Sequence, residues 1–340
     1  MTMRPVTVAI PAHGHPDRVR LLLEELERQT RGAVPLPVLV SDDASPRQLA
    51  ADLDPAAYPS LALELIRSEA NGGPGAARNR ALERVETPWI AFFDSDEIPG
   101  AGWLERMERI AAAAEAPDGV EGRITTGDER ATPFTHIAEA TLPGAHHVAG
   151  NIAFRVDVLR RLGGFDERYY DSGLRLHFRE DTELFFRIEA AGLRVPYDSD
   201  LLAHHPPLPA SYSTPLRDAR RYYFDALLAR EHGERFRAFN RLRRVGPVPL
   251  RVARHLAAVG HVGAVAGAGA ALLAGRRRSA AAAAWVAVAT WGANAASLAW
   301  GRRVPARDVA PVAAVALGLP WVYVVFYYRG AWRFRHLPRL

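Results

Sequence analysis

Short apolar runs alternate with segments of helical period over about the first 245 residues of the chain. The runs cover residues 6–11, 36–40, 61–66 and 89–93. Between the first two runs, Val19, Leu22 and Leu26 recur at the spacing of one helix face. Strands that alternate with helices in this way predict an α/β fold, in which an open sheet is flanked by helices.

The composition changes near residue 246. Hydrophobic residues make up 49% of the 340 residues, and the last part of the chain is dominated by Ala, Gly, Val, Leu and Trp. Because a single small domain does not need this hydrophobic content, we predict two regions. They are an α/β domain, residues 1–245, and a C-terminal membrane-associated helical region, residues 246–340.

The C-terminal region contains three candidate membrane spans, at residues 256–275, 280–300 and 309–328. Each has about the 20 residues that cross a hydrocarbon core. The many small residues favour close packing between helices in a bilayer. The alternative is a soluble, Ala-rich helical domain.

Arginine accounts for much of the formal net charge of +5, and arginines are dense between Arg217 and Arg254, just before the apolar region. A basic belt beside hydrophobic segments is typical of the cytoplasmic side of a membrane and of contact with anionic lipids. No nucleic-acid-binding module accompanies these arginines, so we expect membrane lipids as partners and no nucleic acid. The chain has no cysteine, which excludes disulfides and thiolate chemistry.

Two carboxylates, Asp94 and Asp96, follow the apolar run at residues 89–93 directly. Hard cations such as Mg²⁺ and Mn²⁺ are commonly held by one or two carboxylates together with substrate phosphates. The D-x-D pattern therefore indicates a divalent metal beside a diphosphate, and a solvated turn is the alternative. We expect the neighbouring Glu97 to be solvated, and support of the metal site is the alternative.

Unusual residues also follow the other predicted strands. They are P-A-H-G at residues 11–14, D-D-A-S at residues 42–45, and the glycine-rich N-G-G-P-G-A-A-R-N at residues 71–79. Ligands of open α/β sheets bind outside the carboxyl ends of the strands, so these loops predict one shared site. An Asx turn is the alternative role for the acidic pair Asp42 and Asp43.

With two later motifs, G-G-F-D-E at residues 163–167 and E-D-T-E-L-F-F-R at residues 180–187, the chain resembles the family 2 glycosyltransferases over about residues 4–230. The opening strand, D-D-A-S, the glycine-rich turn, F-F-D-S-D and these two motifs occur in the order of the family. The resemblance implies the GT-A fold with its mixed sheet, a nucleotide-diphosphate sugar donor and inversion at the anomeric carbon. Ala44 departs from the usual D-D-G-S.

The resemblance also implies residue roles. Asp181 corresponds to the catalytic base, and Asp96, with Asp94, to the ligands of a divalent Mn²⁺ or Mg²⁺ ion. His204 or His205 corresponds to a histidine that completes the metal site in some relatives. The donor side comprises Pro11, Asp42, Asp43, Arg78 and Asp94, and a surface arginine is the alternative for Arg78. The acceptor side comprises Gly164, Phe165, Asp166 and Glu180, and a purely structural turn is the alternative for residues 163–167. For Glu180 and Asp181 alone, simple helix N-terminal charge is the alternative.

No Q-x-x-R-W motif of the processive synthases follows the E-D pair, so we expect transfer of a single sugar. The expected acceptor is a lipid-linked or cell-envelope glycan, and the expected location is the cell membrane with the catalytic domain on the cytoplasmic face. A polyprenyl-phosphate sugar synthase is the first alternative. A non-catalytic, membrane-bound scaffold that binds sugar nucleotides is the second.

Overall fold

The computed structural model describes residues 3–126, 132–135, 140, 149–208, 211–242, 244–245 and 247–339. The chain divides into two compact units. The N-terminal unit comprises Met1–Gly127 and Ile137–Pro206, and the C-terminal unit comprises Asp128–His136 and Pro207–Leu340. Residues 207–245 thus group with the C-terminal helices, while the domain boundary after residue 245, which follows composition, stays a prediction.

The N-terminal unit contains ten strands and five helices among its described residues. The strands are β1 (Val6–Ala12), β2 (Leu36–Asp42), β3 (Leu61–Arg67), β4 (Trp89–Phe92), β5 (Ile98–Pro99), β6 (Gly119–Thr125), β7 (Ile152–Arg155), β8 (Tyr170–Asp171), β9 (Leu176–His177) and β10 (Tyr197–His204). The helices are α1 (Pro16–Gln29), α2 (Gly73–Arg84), α3 (Trp103–Ala111), α4 (Val156–Arg161) and α5 (Glu180–Ala190).

Eight strands form one mixed sheet in the order β3-β2-β1-β4-β7-β6-β10-β5. Strands β3, β2, β1 and β4 are parallel, whereas β7 is antiparallel to both β4 and β6. This arrangement confirms the open mixed sheet flanked by helices. Because β1, β2 and β4 run in one direction, the loops at their carboxyl ends meet at the same sheet edge.

The core of this unit follows the sequence periodicity. Val19, Leu22, Leu23 and Leu26 on α1 are fully buried, as their helical spacing predicts. Each such burial contributes about 1.5–3 kcal/mol relative to an exposed side chain. β4 is buried along its whole length, because it lies inside the sheet with β1 on one side and β7 on the other. The strand that carries the D-x-D turn is therefore a rigid support.

The C-terminal unit is mainly helical. Its elements are α6 (Thr214–Arg220), α7 (Asp225–Glu231), α8 (Gly233–Asn240), β11 (Arg244–Val245), β12 (Val248–Pro249), α9 (Leu250–Leu273), α10 (Arg277–Ala299) and α11 (Ala306–Arg333). Helices α9, α10 and α11 overlap the three predicted spans, and most helix ends lie within a few residues of the predicted ends. Of the described helices, α9 and α11 are long and apolar enough to cross a membrane, by length and composition alone.

Candidate active site

The D-x-D turn stands at the carboxyl end of β4. The backbone N–H of Phe93 still donates to the carbonyl of Ala9 at 3.2 Å, and the chain then turns so that Glu97 N–H donates to Asp94 O at 3.0 Å. Asp94 and Asp96 are partly exposed, while Phe92 and Phe93 are fully buried. The fold therefore presents both carboxylates at the predicted sheet edge.

Asp96 lies between an arginine and a histidine. Arg18 Nη1 is 3.3 Å from Asp96 Oδ2, and His205 Nε2 is 3.6 Å from Asp96 Oδ1. His205 is buried directly after β10, whereas His204 lies within that strand opposite Ile98. Of the two histidines singled out by the sequence, the structure brings His205 to the D-x-D turn.

This donor set fits a divalent cation that is shared with a phosphate. Among the described residues, no three His, Asp or Glu side chains form a cluster that could hold a metal ion by themselves. Asp96, with Asp94 nearby and the His205 imidazole within 4 Å, offers one or two carboxylates, which is the usual protein share in Mg²⁺ and Mn²⁺ sites that also bind phosphates. Residue chemistry and the predicted metal therefore agree.

Asp42 is engaged in holding its own loop. It accepts hydrogen bonds from Ser45 N–H at 2.8 Å, Leu49 N–H at 3.2 Å and Arg67 Nη1 at 2.6 Å. Burial acts to raise the pKa of Asp42, but these hydrogen bonds lower it below its ordinary value. Asp42 therefore stabilises its own loop, but through N–H groups three and seven residues on and not through an Asx turn, whose N–H lies two residues on. Nucleotide contact by Asp42 stays a prediction.

Asp43 connects two motifs. Its carboxylate accepts the N–H groups of Gly72 and Gly73, the latter at 2.7 Å, and pairs with Arg80 Nη2 at 2.5 Å. The backbone N–H of Asp43 donates to Ala12 O at 2.8 Å, one residue after the buried Pro11. Asp43 therefore fastens the glycine-rich turn to the ends of β1 and β2, which places the predicted donor-side residues together.

Gly73 is required by both its backbone and its neighbour. Its φ is +83°, which L side chains rarely adopt, and a Cβ there would lie 2.7 Å from Tyr170 Cγ. Ala44 in D-D-A-S likewise has a φ of +56°. The left-handed conformation explains why glycine is usual at this position, and this chain accepts the strain of an alanine there.

Arg78 on α2 links the two halves of the predicted site. Its Nη2 is 2.5 Å from Asp94 Oδ1, and its Nη1 is 3.7 Å from Glu180 Oε1. The guanidinium is buried and lies over the Phe165 ring, 5.2 Å from its centroid. Within the described part of the chain, Nε and Nη1 have no hydrogen-bond partner. A buried cation with unused donors at this position is suited to an anionic ligand.

Glu180 and Asp181 open α5. The preceding Arg179 has a φ of +81°, a left-handed conformation that costs about 1–2 kcal/mol for a residue with a side chain. Asp181 Oδ1 accepts the Thr182 N–H at 2.6 Å. Strain immediately before the two carboxylates is consistent with their being held in a set orientation.

The pKa values of Glu180 and Asp181 are shifted in opposite directions. Burial acts to raise the pKa of Glu180, but His177 and Arg78 lower it below its ordinary value. Burial also raises the pKa of Asp181, and together with the charge of Glu180 it brings that pKa to about 7. Asp181 is therefore the member of the pair that can exchange a proton near neutral pH.

The predicted acceptor-side residues pack against α2. Asn79 donates to Phe165 O at 2.9 Å and accepts from Phe165 N–H at 2.8 Å, beside Gly164. The Phe165 side chain is buried and makes an edge-on contact with Phe92, and Asp166 pairs with Arg168 at 2.6 Å. Phe165 thus packs its ring against the Arg78 guanidinium. A contact of these residues with an acceptor stays a prediction.

The expectation that Glu97 is solvated is wrong. Its side chain is fully buried, and its Oε2 accepts the Asp94 N–H at 3.1 Å. Burial raises the pKa of Glu97 well above its ordinary value, and the charge of Asp94 adds to the effect. Gly150 makes room for it, because a Cβ at Gly150 would overlap Glu97 Oε1. The hydrogen bond to Asp94 fits the alternative for Glu97, which is support of the metal site. The supporting role of Asn79 was not predicted, because its partner Phe165 lies in a distant loop.

Comparisons with known proteins agree with this geometry. Residues 7–163 match the family model described as "Glycosyl transferase family 2". The chain is 30% identical over 242 residues to the pre-mycofactocin glycosyltransferase of Mycobacterium tuberculosis, covering 65% of this chain and 46% of that protein. It is 26% identical over 220 residues to the glycosyltransferase AglE of Haloferax volcanii, covering 61% and 69% respectively. The chain thus spans about half the length of the mycobacterial relative.

Among the solved structures that resemble the chain is one that matches nearly its whole length. It is the mannosyltransferase PcManGT from Pyrobaculum calidifontis in complex with GDP-Man and Mn²⁺. The TM-score is 0.53 at 18% sequence identity, and the match covers 98% of this chain and 88% of that one. At this identity the likeness establishes the fold, which is GT-A, as predicted.

Proposed function

We propose, from the premise that the chain belongs to the family 2 glycosyltransferases through residues 7–163, that it transfers one sugar from a nucleotide-diphosphate sugar to an acceptor hydroxyl with inversion. The observation that carries the proposal is the position of Arg78 between Asp94 and Glu180. It joins the D-x-D turn and the E-D motif in one site, although the two are distant in sequence. The named relatives are themselves glycosyltransferases.

The donor end of the site consists of the D-x-D turn and Arg78. Asp96 and Asp94, with His205 nearby, would hold a divalent Mn²⁺ or Mg²⁺ ion. When bound, such an ion neutralises the charge that develops on the departing nucleoside diphosphate. The unused donors of Arg78 are available to diphosphate oxygens. Pro11, Asp42 and Asp43 order the loops on which the nucleotide would lie.

The acceptor end of the site centres on Asp181. An inverting transferase needs a base on the face of the sugar opposite the leaving group, because the acceptor hydroxyl loses its proton as it attacks. A carboxylate with a pKa of about 7 is well matched to this task at neutral pH. Glu180 keeps its charge beside Asp181 and so raises the basicity of the latter.

We propose that the chain lies in the cell membrane, with its catalytic domain on the cytoplasmic face. Helices α9 and α11 have the length and composition of membrane spans, and arginines are frequent just before α9. The acceptor we propose is therefore a lipid-linked or cell-envelope glycan. Full-length protein should sediment with membranes and resist extraction by high salt, whereas release by salt would contradict insertion.

A donor screen tests the proposed reaction. Full-length protein is incubated with UDP-, GDP- and dTDP-sugars in the presence of Mn²⁺ or Mg²⁺, and hydrolysis of the donor is measured. We expect one donor to be turned over, and we expect the Asp96→Ala variant to lose at least tenfold in activity, because a metal ligand is removed. The matched control is Asp157→Ala, an exposed carboxylate on α4. No turnover with any donor, or equal activity of both variants, would exclude the proposed role of the D-x-D turn.

A further inference from the structure

A basic cavity lies in the C-terminal unit, between α8 and the segment that follows α11. Its volume is about 530 Å³, and its polar lining comes from Arg237, Arg335, His336 and Arg339. The segment after α11 makes two hydrogen bonds to the helices around it, from Tyr327 OH to Pro338 O at 3.0 Å and from Arg230 Nη1 to Phe334 O at 3.2 Å, and the Phe334 ring packs against Tyr223. We call this space the C-terminal basic cavity.

The lining of the C-terminal basic cavity contains no carboxylate. Arg237 has its paired carboxylate, Glu234, at 4.0 Å, and the Glu234 side chain is 97% exposed. Among the described residues, neither Arg335 nor Arg339 has a carboxylate within 4 Å. The positive charge of this concave surface is therefore largely uncompensated, which favours an anionic ligand.

Part of the cavity lining is apolar. It comes from Phe236, which is fully buried, and from Ala229 and Leu337. A cavity lined by both guanidinium groups and apolar side chains suits an amphipathic molecule. The charged end of that molecule should be able to accept hydrogen bonds from two planar guanidinium groups, as a phosphate does.

The cavity follows directly on the end of α11. In the last turns of this helix, Tyr328 is exposed and Trp332 is 82% exposed. Exposed Tyr and Trp at the end of an apolar helix are typical of the level of lipid headgroups. With α11 in a membrane, as proposed above, a phosphate at this level would be that of a lipid headgroup.

We infer that the C-terminal basic cavity binds the phosphate group of an anionic lipid, with Arg335 and Arg339 as its main contacts. The inference rests on the membrane attachment given under the proposed function. It goes further, because it assigns the lipid contact to a defined site instead of to a diffuse belt of arginines.

Native mass spectrometry of the full-length chain in detergent micelles tests the inference. Phosphatidylglycerol is added in increasing amounts, and the number of lipids retained per chain is counted, with phosphatidylcholine as the reference. We expect one phosphatidylglycerol to be retained in preference to phosphatidylcholine. In the double variant R335Q/R339Q, its affinity should fall about 10- to 30-fold, because two guanidinium contacts are lost.

The control variant R277Q/R278Q removes the same charge at the start of α10, where both arginines are exposed and lie outside the cavity. Its affinity for phosphatidylglycerol should stay within about twofold of that of the unaltered chain. An equal loss of lipid affinity in both double variants would mean that the lipid is held by a diffuse belt of arginines, and it would overturn the proposed site. Complete displacement of the lipid by millimolar inorganic phosphate would overturn the lipid as its source.

A third variant, R335K/R339K, covers the case in which the glutamine variant does not fold. It keeps both charges but loses the planar fork, so we expect several-fold weaker binding. An affinity equal to that of the unaltered chain would overturn the guanidinium–phosphate contacts. Donor hydrolysis measured on the same samples is independent of the lipid count, so failure of the transferase proposal and failure of this site are distinguishable.

Discussion

The two units of the chain differ in which side chains they bury and which they expose. In the N-terminal unit the aromatic side chains of β4 are fully buried, and charged groups gather in paired sets at the sheet edge. In the C-terminal unit Leu273 is 94% and Trp285 is 74% exposed, while His261 and Asn294 are buried. The first pattern is that of a protein in water. The second is expected where the surroundings are apolar, so the two units are suited to different solvents.

The largest effect that we expect is a loss of activity on substitution of Asp181, which would locate the chemistry in the N-terminal unit. Asp181→Asn should lower kcat about 10²- to 10⁴-fold, because a general base is lost without a change of shape. Steady-state transfer with the donor found in the screen provides the measurement, and Glu189→Gln on the exposed face of α5 is the control.

If Asp181→Asn retained activity, a polyprenyl-phosphate acceptor would be favoured instead, since a lipid phosphate needs little deprotonation. If donor binding occurred with no transfer in either protein, the non-catalytic scaffold would be favoured.

Two substitutions of aromatic residues by alanine test the difference in burial between the two units. Phe92→Ala should cost about 3–5 kcal/mol of unfolding free energy, because Phe92 is fully buried against Phe165. Trp285→Ala should change the unfolding free energy in micelles by less than about 0.5 kcal/mol, because its side chain is mostly exposed. Unfolding followed by near-ultraviolet circular dichroism gives both values. A comparable loss in the second variant would mean that the exposed face of α10 is covered in the folded protein.

A pH profile tests the charged pair in the N-terminal unit. Activity (kcat/KM) should fall below about pH 7 as Asp181 becomes protonated, and Glu180→Gln should move this limb down by roughly one pH unit. Burial, the larger cause, remains, so the limb should not reach the ordinary carboxyl value. An unshifted limb in Glu180→Gln would contradict the coupling of the pair.

The same raised pKa has a consequence for stability. The unfolded chain loses the Asp181 proton near the ordinary value of 3.8, whereas the folded chain keeps it up to about pH 7. The favourable contribution of the protonated form is therefore complete below the lower value and is lost as pH rises towards the higher one.

The smallest effect concerns backbone strain. Ala44→Gly should raise the unfolding free energy by about 0.5–1 kcal/mol, because glycine removes the cost of a positive φ but adds freedom to the unfolded chain. Ala62→Gly within β3, where no such strain exists, should instead destabilise by about 0.5–1 kcal/mol. Thermal unfolding of both variants measures the difference, and equal signs would contradict the role of the φ value at residue 44.

Much of the N-terminal unit could be predicted, because its signals are local. The strands β1 to β4 and the buried face of α1 follow from short-range apolar spacing, and the rule for strand ends placed the loops on one edge. Strand β7 was not predicted. Its insertion between β4 and β6 depends on pairing with partners distant in sequence, which periodicity does not report.

Two details of the candidate site were not predicted either, because they also depend on contacts between residues that are distant in sequence. Glu97 is charged and follows two aspartates, so a solvated side chain was expected, but its burial depends on the space left by Gly150. The choice of His205 over His204 depends on the direction of each side chain at the end of β10. Such contacts are properties of the assembled loops and not of any one segment.

The position of Arg78 implies that the two substrates should not bind independently. One buried guanidinium serves as counter-ion to Asp94 at the donor end and lies 3.7 Å from Glu180 at the acceptor end. Any ligand that draws Asp94 away from Arg78 changes the charge felt by Glu180 and, through it, by Asp181. On the proposed function, the affinity for the acceptor should therefore change when the donor binds, and by reciprocity the donor should respond to the acceptor by the same factor.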